Sequence, residues 1–459
     1  MNHLYRILPC LGLILTLGLP GPLSAKVTEE QAKALGTTLT RGGAEAGANA
    51  DGRIPAFAGK WLGIPPQLKD RYDGSYNLDP YADEKSLFEI SGANYKQYAD
   101  QLSEGQKGLF EKYPETYRIV VYPTHRDFRL SDQAYENIRL NALNAELDND
   151  GLTLKGAYGG TAFPMPKNGD ELVFSLFTAN APWFSEAPQI SAYVFSGGNI
   201  SWSELAFRLY APFFKGDARA QWTFDDIYSY SITEQIRPPR DNGKISFTSN
   251  TFDFIGAPRQ AWQYDPGSRR LRKAPDVGFD YPMDTGPRVV DEQNGFNGSP
   301  ERFTWKLVGK REMFVPANNY KYEQRGLPYA EITKTRGFPN PELLRHELRR
   351  VWVLEATLKD GMRHIYSKRR LYIDEDSWFK VLGETYDRRG ELWRVSQDAM
   401  IYAYDSQTPF NNVSFYEDLQ AGSYSAEKLN SELEHGAFNN HREPRPNEFT
   451  LDGIRRSGR

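Results

Sequence analysis

Cysteine is almost absent: the 459-residue chain holds one, Cys10. A single thiol excludes a disulfide framework and any cysteine-based zinc centre. Histidine is scarce too, and His125, His346, His364, His435 and His441 show no H-x-x-x-H or H-E-x-x-H spacing, so neither a metal nor another cofactor is expected. There is no G-x-S-x-G elbow, no P-loop and no G-x-G-x-x-G after a strand. An excess of one charge is lacking as well, with 56 Lys and Arg against 60 Asp and Glu, which gives nucleic acid no basic footprint. Long apolar runs are missing except for Ile7 to Leu19, too short for a spanning helix of roughly 20 residues.

What is present begins with a secretory pattern. Met1 to Arg6 is short and basic, Ile7 to Leu19 is apolar, Pro20 to Pro22 breaks the run, and Leu23-Ser24-Ala25 offers a small residue for cleavage. Residues 1–25 therefore read as a signal peptide. Pro9 occupies the position before Cys10 where lipid attachment wants a small residue, so ordinary cleavage and a soluble product are expected.

The composition leans towards β structure: aromatics make up 14% of the chain, with 39 Gly and 29 Pro. Thr28-Glu29-Glu30-Gln31 forms a capping box for a short helix, and residues 26–80 then read as an extended, Gly- and Pro-punctuated arm. Residues 81–459 are expected to form one domain with a helical insert around 86–147, where Ser131 is an N-cap. Strands are predicted near 172–177, 190–195, 200–210, 227–236, 244–255, 303–315, 351–358, 362–373, 378–386, 391–404 and 411–419. Hairpin turns fall at Asp241-Asn242-Gly243, Asp265-Pro266-Gly267, Lys359-Asp360-Gly361 and Asp387 to Gly390. Pro275 to Pro300 is poorly patterned and reads as a long loop or lid.

Alternation puts Trp352, Leu354, Ala356 and Leu358 on one side of a strand whose other side carries Val351 and Val353, so both sides need shielding. A bound apolar ligand could cover one side, or the strand could sit inside a sandwich. Candidate ligand-binding residues are the aromatics Trp262, Tyr264, Trp305, Trp352, Tyr366, Trp378 and Trp393, which either line a cavity or form plain core. Arg270 and Arg272 alternate onto one side, where their forks suit a carboxylate or phosphate or simply guard a sheet edge. Asp374-Glu375-Asp376 reads as a solvated corner and His346 as a solvated helix face, so no catalytic residue is assigned.

The segments Trp262 to Pro275 and Asp374 to Arg394 resemble the curved-sheet lipid carriers of the bacterial envelope, the LolA/LolB-like fold of outer-membrane lipoprotein sorting. Longer motifs carry a closer resemblance: Asn49 to Gly52 with Ile54 to Phe57, Tyr122 to Arg126, Phe296-Asn297-Gly298, Trp305 to Lys310, Arg350 to Thr357 and Asp374 to Trp378. In these the chain resembles the family called domain of unknown function 1329. The resemblance implies a mainly β, α+β fold: a large curved antiparallel sheet, a half-barrel, with helices packed in its concavity. It implies a non-enzymatic periplasmic carrier that binds a lipid-like or other hydrophobic molecule. Members are usually encoded beside an inner-membrane exporter of the resistance-nodulation-division type and an outer-membrane protein, which makes those the expected partners. A carbohydrate-binding or scaffold protein, using exposed aromatics on a flat sheet, and a hydrolase with dispersed catalytic residues are the competing readings.

Overall fold

A computed structural model describes residues 27–61, 63–72, 75–216, 227–274, 280–283 and 285–458. The predicted signal peptide with Cys10 lies outside these, as do residues 275–279 and 284 of the predicted lid. Eighteen strands are formed among the described residues. They are β1 (Phe88–Ser91), β2 (Arg118–Val121), β3 (Glu146–Asp148), β4 (Thr153–Lys155), β5 (Phe184–Val194), β6 (Ile200–Tyr210), β7 (Ser229–Arg237), β8 (Ile245–Asn250) and β9 (Gln260–Asp265). The chain continues through β10 (Arg270–Lys273), β11 (Phe303–Pro316), β12 (Arg345–Leu358), β13 (Lys368–Asp374), β14 (Lys380–Tyr386), β15 (Leu392–Ala403), β16 (Thr408–Asp418), β17 (Ser423–Leu429) and β18 (Phe438–Asn439). Six α-helices accompany them: α1 (Glu29–Ala32), α2 (Glu104–Lys112), α3 (Asp132–Asn144), α4 (Gly169–Phe177), α5 (Tyr329–Ile332) and α6 (Leu451–Ser457).

Sixteen strands join one large sheet, and β3 and β4 pair separately. The sheet is two antiparallel meanders, β5 to β10 and β11 to β17, in which consecutive strands pair, with α5 in the long connection from β11 to β12. They are fused where β17 pairs with β5, Ala426 opposite Ala192. The remaining short strands extend this body, and the parallel pairing of β2 with β12 makes the sheet mixed rather than purely antiparallel. The sheet does not close into a barrel. It curls strongly at the β11 end, because Met313 and Val315 of β11 share a core with Leu382 of β14 and Met400 of β15, three and four strands away.

The four expected hairpin turns are all present between paired strands. The predicted strand at 172–177 is instead α4. Asn168 caps it by accepting a hydrogen bond from the Glu171 N–H at 2.9 Å, and Asp170 and Glu171 favour its first turn. An apolar run of that length has no period that separates a buried helix from a strand, so the cap carried the information. Strand β17 was not foreseen, because Ser423, Ser425 and Glu427 alternate with Tyr424 and Ala426 and hide a strand that is buried on both faces.

Register defines two faces. The first carries Val351 and Val353 of β12 and continues through Tyr372, Leu382, Gln397, Phe415, Ala426 and Ala192. The second carries Trp352, Leu354 and Ala356. Helix α2 packs on β14 and β15 against the first face, where Gly105 abuts Val395, whereas α4 packs against β11 and β12 on the second. Both faces of β12 are therefore closed by protein: Val351 and Val353 belong to one core, Leu354 and Ala356 to another with Leu172, Phe174, Trp305 and Trp378.

Candidate ligand-binding face

The second face is not covered evenly. Over the C-terminal meander it is roofed by α4 and by residues 285–302, which run across the strands as a strap. Buried charges staple that strap down: Arg288 Nε donates to Glu427 at 2.7 and 2.8 Å, and Arg369 Nη2 donates to Asp291 at 2.9 and 3.1 Å. Tyr366 donates its hydroxyl to Glu292 at 2.8 Å. Asp291 is held below the usual carboxylate range despite its burial, because Arg369 and His364 face it. The described part of the predicted lid is thus a fixed roof.

Over the N-terminal meander the same face is different. Strand β6 turns Leu205, Phe207 and Leu209 to it, and all three are only half-buried and join none of the hydrophobic cores among the described residues. The cross-strand neighbours of the last two are small or hydroxylated, with Ala187 and Thr233 flanking Phe207 and Ser185 and Ser231 flanking Leu209, whereas Gln189 and Gln235 flank Leu205. Beyond them Ser246, Thr248 and Ala261 continue the rows. Short side chains beside a raised apolar stripe leave a shallow trough along its flank, with Leu-Phe-Leu as its apolar wall and hydroxyls on its floor. With two residues advancing a strand by roughly 6.6 Å, the stripe is about 13 Å long.

On the opposite, first face the strands around β6 carry a core, while β6 itself presents exposed Trp202 and half-buried residues there. Phe184, Ile232, Ile245, Phe247 and Tyr264 pack there against Phe449 and Ile454 of the C-terminal segment. The core of this meander is thus built on the first side of β5 and β7 to β9, and the apolar stripe on the other side of β6 takes no part in it. A groove of about 480 Å³ between β5 and the C-terminal segment, lined by Pro188, Leu433, His435, Phe438 and His441, lies on this first side and does not adjoin the stripe.

Residues 89–455 match the model of a family described as protein of unknown function, DUF1329. The chain belongs to the DUF1329 family. An uncharacterized protein of Pseudomonas aeruginosa is 35% identical over 438 residues, which cover 95% of this chain and 94% of the relative. Among solved structures, a DUF1329 family protein from Desulfovibrio piger aligns with 62% of this chain and 96% of its own, at 11% identity and a TM-score of 0.43. A LolA superfamily protein from Nitrosomonas europaea aligns with 63% of this chain and 100% of its own, at 12% identity and a TM-score of 0.37. The family membership bears out the resemblance read from the motifs. No helix among the described residues is long and apolar enough to cross a membrane.

In this DUF1329 protein the aromatics singled out in the sequence fall into three separate groups. Trp262 and Tyr264 lie on the first face, where the Tyr264 hydroxyl donates to the Gly458 carbonyl at 2.6 Å. Trp305, Trp352 and Trp378 lie beneath α4, with Trp305 Nε1 donating to the Pro300 carbonyl at 3.0 Å and Trp352 stacked on Trp378 at 6.2 Å. Tyr366 and Trp393 meet edge to face at 5.7 Å beside the strap. Arg270 and Arg272 stand exposed on β10 at the outer rim of the second face, with Arg272 opposite Gln263. None of the seven aromatics belongs to the trough.

Two expectations are overturned. Asp374, Glu375 and Asp376 are not a solvated corner but are buried among Arg126, Arg349, Arg350 and Lys310. They anchor the N-terminal arm: Arg126 also donates to the carbonyls of Glu45 and Pro55, Arg350 to that of Gly47, and Trp378 Nε1 to that of Gly42. Four cations converging from distant parts of the chain turn an acidic run into a buried hub, which the local sequence does not reveal. His346 is likewise no solvated helix residue. It is enclosed on β12, and burial pushes its pKa down to about 4.

Proposed function

We propose that this protein is a periplasmic carrier that holds a lipid-like or other hydrophobic molecule on the second face of its N-terminal meander, and that it carries rather than catalyses. The observation that supports this best is the Leu205, Phe207 and Leu209 stripe, half-buried and outside every hydrophobic core among the described residues, while on the reverse side Phe184, Ile232, Ile245, Phe247 and Tyr264 of the other strands of this meander are packed into one. A contiguous apolar strip bordered by hydroxyls is the surface a small amphiphile needs and a folded chain does not. The secretory pattern of residues 1–25 supports the compartment. The family resemblance supports a place between an inner-membrane exporter of the resistance-nodulation-division type and an outer-membrane protein.

The reading is tested by mass spectrometry of organic extracts from protein purified out of the periplasm, beside uptake of the neutral dye N-phenyl-1-naphthylamine by the stripped protein. A co-purifying amphiphile and saturable dye uptake are expected. A folded protein that brings down no such molecule and leaves the dye dark would remove the carrier reading.

A further inference from the structure

Arg259 lies at the inner end of this trough. Its Nε donates to Asn250 Oδ1 at 2.6 Å, and its Nη2 donates to Asn297 Oδ1 of the strap. Asn250 closes the row opposite Ser229 on the second face, one row beyond the row of Leu209, Ser231 and Thr248. The guanidinium is therefore anchored to a residue one row, roughly 7 Å, beyond Leu209 along the strands and two strands to its side, at the seam between the roofed and open halves.

Its surroundings set it apart from the fully enclosed arginines. No carboxylate among the described residues comes within ion-pair distance, although the other enclosed arginines of this protein, such as Arg126, Arg288, Arg349 and Arg369, each have one. Both of its hydrogen bonds go to neutral amide oxygens. Among the described residues its Nη1 has no hydrogen-bond partner. Two of the five N–H groups are engaged among the described residues. Burial without an acid holds its pKa below the usual arginine value, with only the Tyr228 hydroxyl and the more distant Asp291 opposing that. A cation kept partly out of water without a counter-charge costs stability unless something anionic completes it.

We propose that Arg259 binds the anionic head group, carboxylate or phosphate, of an acidic amphiphile whose chain lies along Leu209, Phe207 and Leu205. This rests on the carrier reading and narrows it to one ligand class. Arg270 and Arg272, exposed at the rim, offer the same fork in water, where a charge pair gains little.

The test is displacement of N-phenyl-1-naphthylamine by hexadecanoic acid, hexadecyl phosphate and hexadecanol, which share a chain and differ in head group. Wild-type protein should release dye to an anionic competitor at about tenfold lower concentration than to the alcohol. Arg259→Gln should abolish that preference while leaving displacement by hexadecanol unchanged, Arg259→Lys should retain part of it, and Arg270→Gln with Arg272→Gln should retain all of it. Preference for the phosphate alone identifies a phosphorylated lipid, and equal preference for acid and phosphate identifies shared anion recognition. Equal displacement by all three compounds, or a preference that survives Arg259→Gln, overturns the inference while the carrier reading stands. A folded protein, checked by circular dichroism, that takes up no dye overturns both.

Discussion

Arg126 grips Asp376 with two parallel hydrogen bonds, Nη2 to Oδ1 at 2.7 Å and Nε to Oδ2 at 2.8 Å, where both side chains are almost wholly enclosed. The pair joins the segment after β2 to the β13–β14 turn, and through the carbonyls of Glu45 and Pro55 it also fixes the arm. Removing one partner of such a buried pair strands the other charge, so Arg126→Ala should lower unfolding free energy by about 3 kcal/mol or more. Asp376 keeps Arg349 at 3.0 Å, so the double variant Arg126→Ala, Asp376→Ala should cost less than the sum of the single changes. Urea denaturation measures this, and limited proteolysis of Arg126→Ala should open new cuts between residues 42 and 56. Full additivity, or an arm as resistant as before, would place the anchor elsewhere.

Two hairpin turns depend on glycine for backbone reasons alone. Gly361 has φ +80° and Gly390 φ +81°, and nothing lies within 4 Å of where a Cβ would stand at either. Replacement by Val meets no neighbour but must hold a β-branched residue in the left-handed region. Each should cost about 1 kcal/mol or more, seen as a shift of denaturation midpoint with unchanged slope. Wild-type midpoints in both variants would contradict the strain argument.

These turns also mark how far the sequence could be read. Each hairpin was legible because Asp-Asn-Gly, Asp-Pro-Gly and Lys-Asp-Gly state their own backbone geometry. Strand β6 was legible for the same local reason, its bounds falling at 200 and 210 as expected. The trough was not, even though Leu205, Phe207 and Leu209 alternate in plain view. Nothing local tells that their neighbours two strands away are Ser246 and Thr248, or that the C-terminal segment closes the reverse side. Arg259 sits in Ala-Pro-Arg-Gln, a loop with no pattern, and its isolation from carboxylates is a fact of three dimensions. The named tryptophans illustrate the converse, since size and rarity drew the eye to side chains that mostly hold the core together.

Acidity should act on stability through Glu417. Enclosed on the first face, it accepts one hydrogen bond from Gln397 Nε2 at 2.7 Å, and burial pushes its pKa up to about 8. The folded state thus keeps a proton that the unfolded chain, titrating near the ordinary glutamate value of about 4.3, has released. Stability from this residue is present below that unfolded value and is lost as pH rises towards about 8. Glu323, pushed up to about 7 by burial, acts in the same direction. Glu417→Gln mimics the protonated acid, so its unfolding midpoint should match wild type near pH 5 and exceed it near pH 8. A variant that runs parallel to wild type across that range would mean that Glu417 is already ionised in the fold.

The trough makes one more prediction, in which stability and binding part company. Phe207 is half-buried and outside every core among the described residues, so Phe207→Ser removes little that folding uses and should cost below about 1 kcal/mol. Trp305 is buried against Phe296 at 4.9 Å and Phe303 at 5.9 Å with its indole N–H satisfied, so Trp305→Ala should cost about 3 to 5 kcal/mol. If the stripe is the ligand's contact surface, Phe207→Ser should nonetheless abolish dye uptake in a protein of near wild-type midpoint. Ligand added to wild type should raise its midpoint and leave that of Phe207→Ser where it was, because only a protein that binds is stabilised by mass action. A Phe207→Ser protein that still takes up dye, or that unfolds as readily as Trp305→Ala, would show that these side chains serve the fold and that the ligand, if any, lies on another surface.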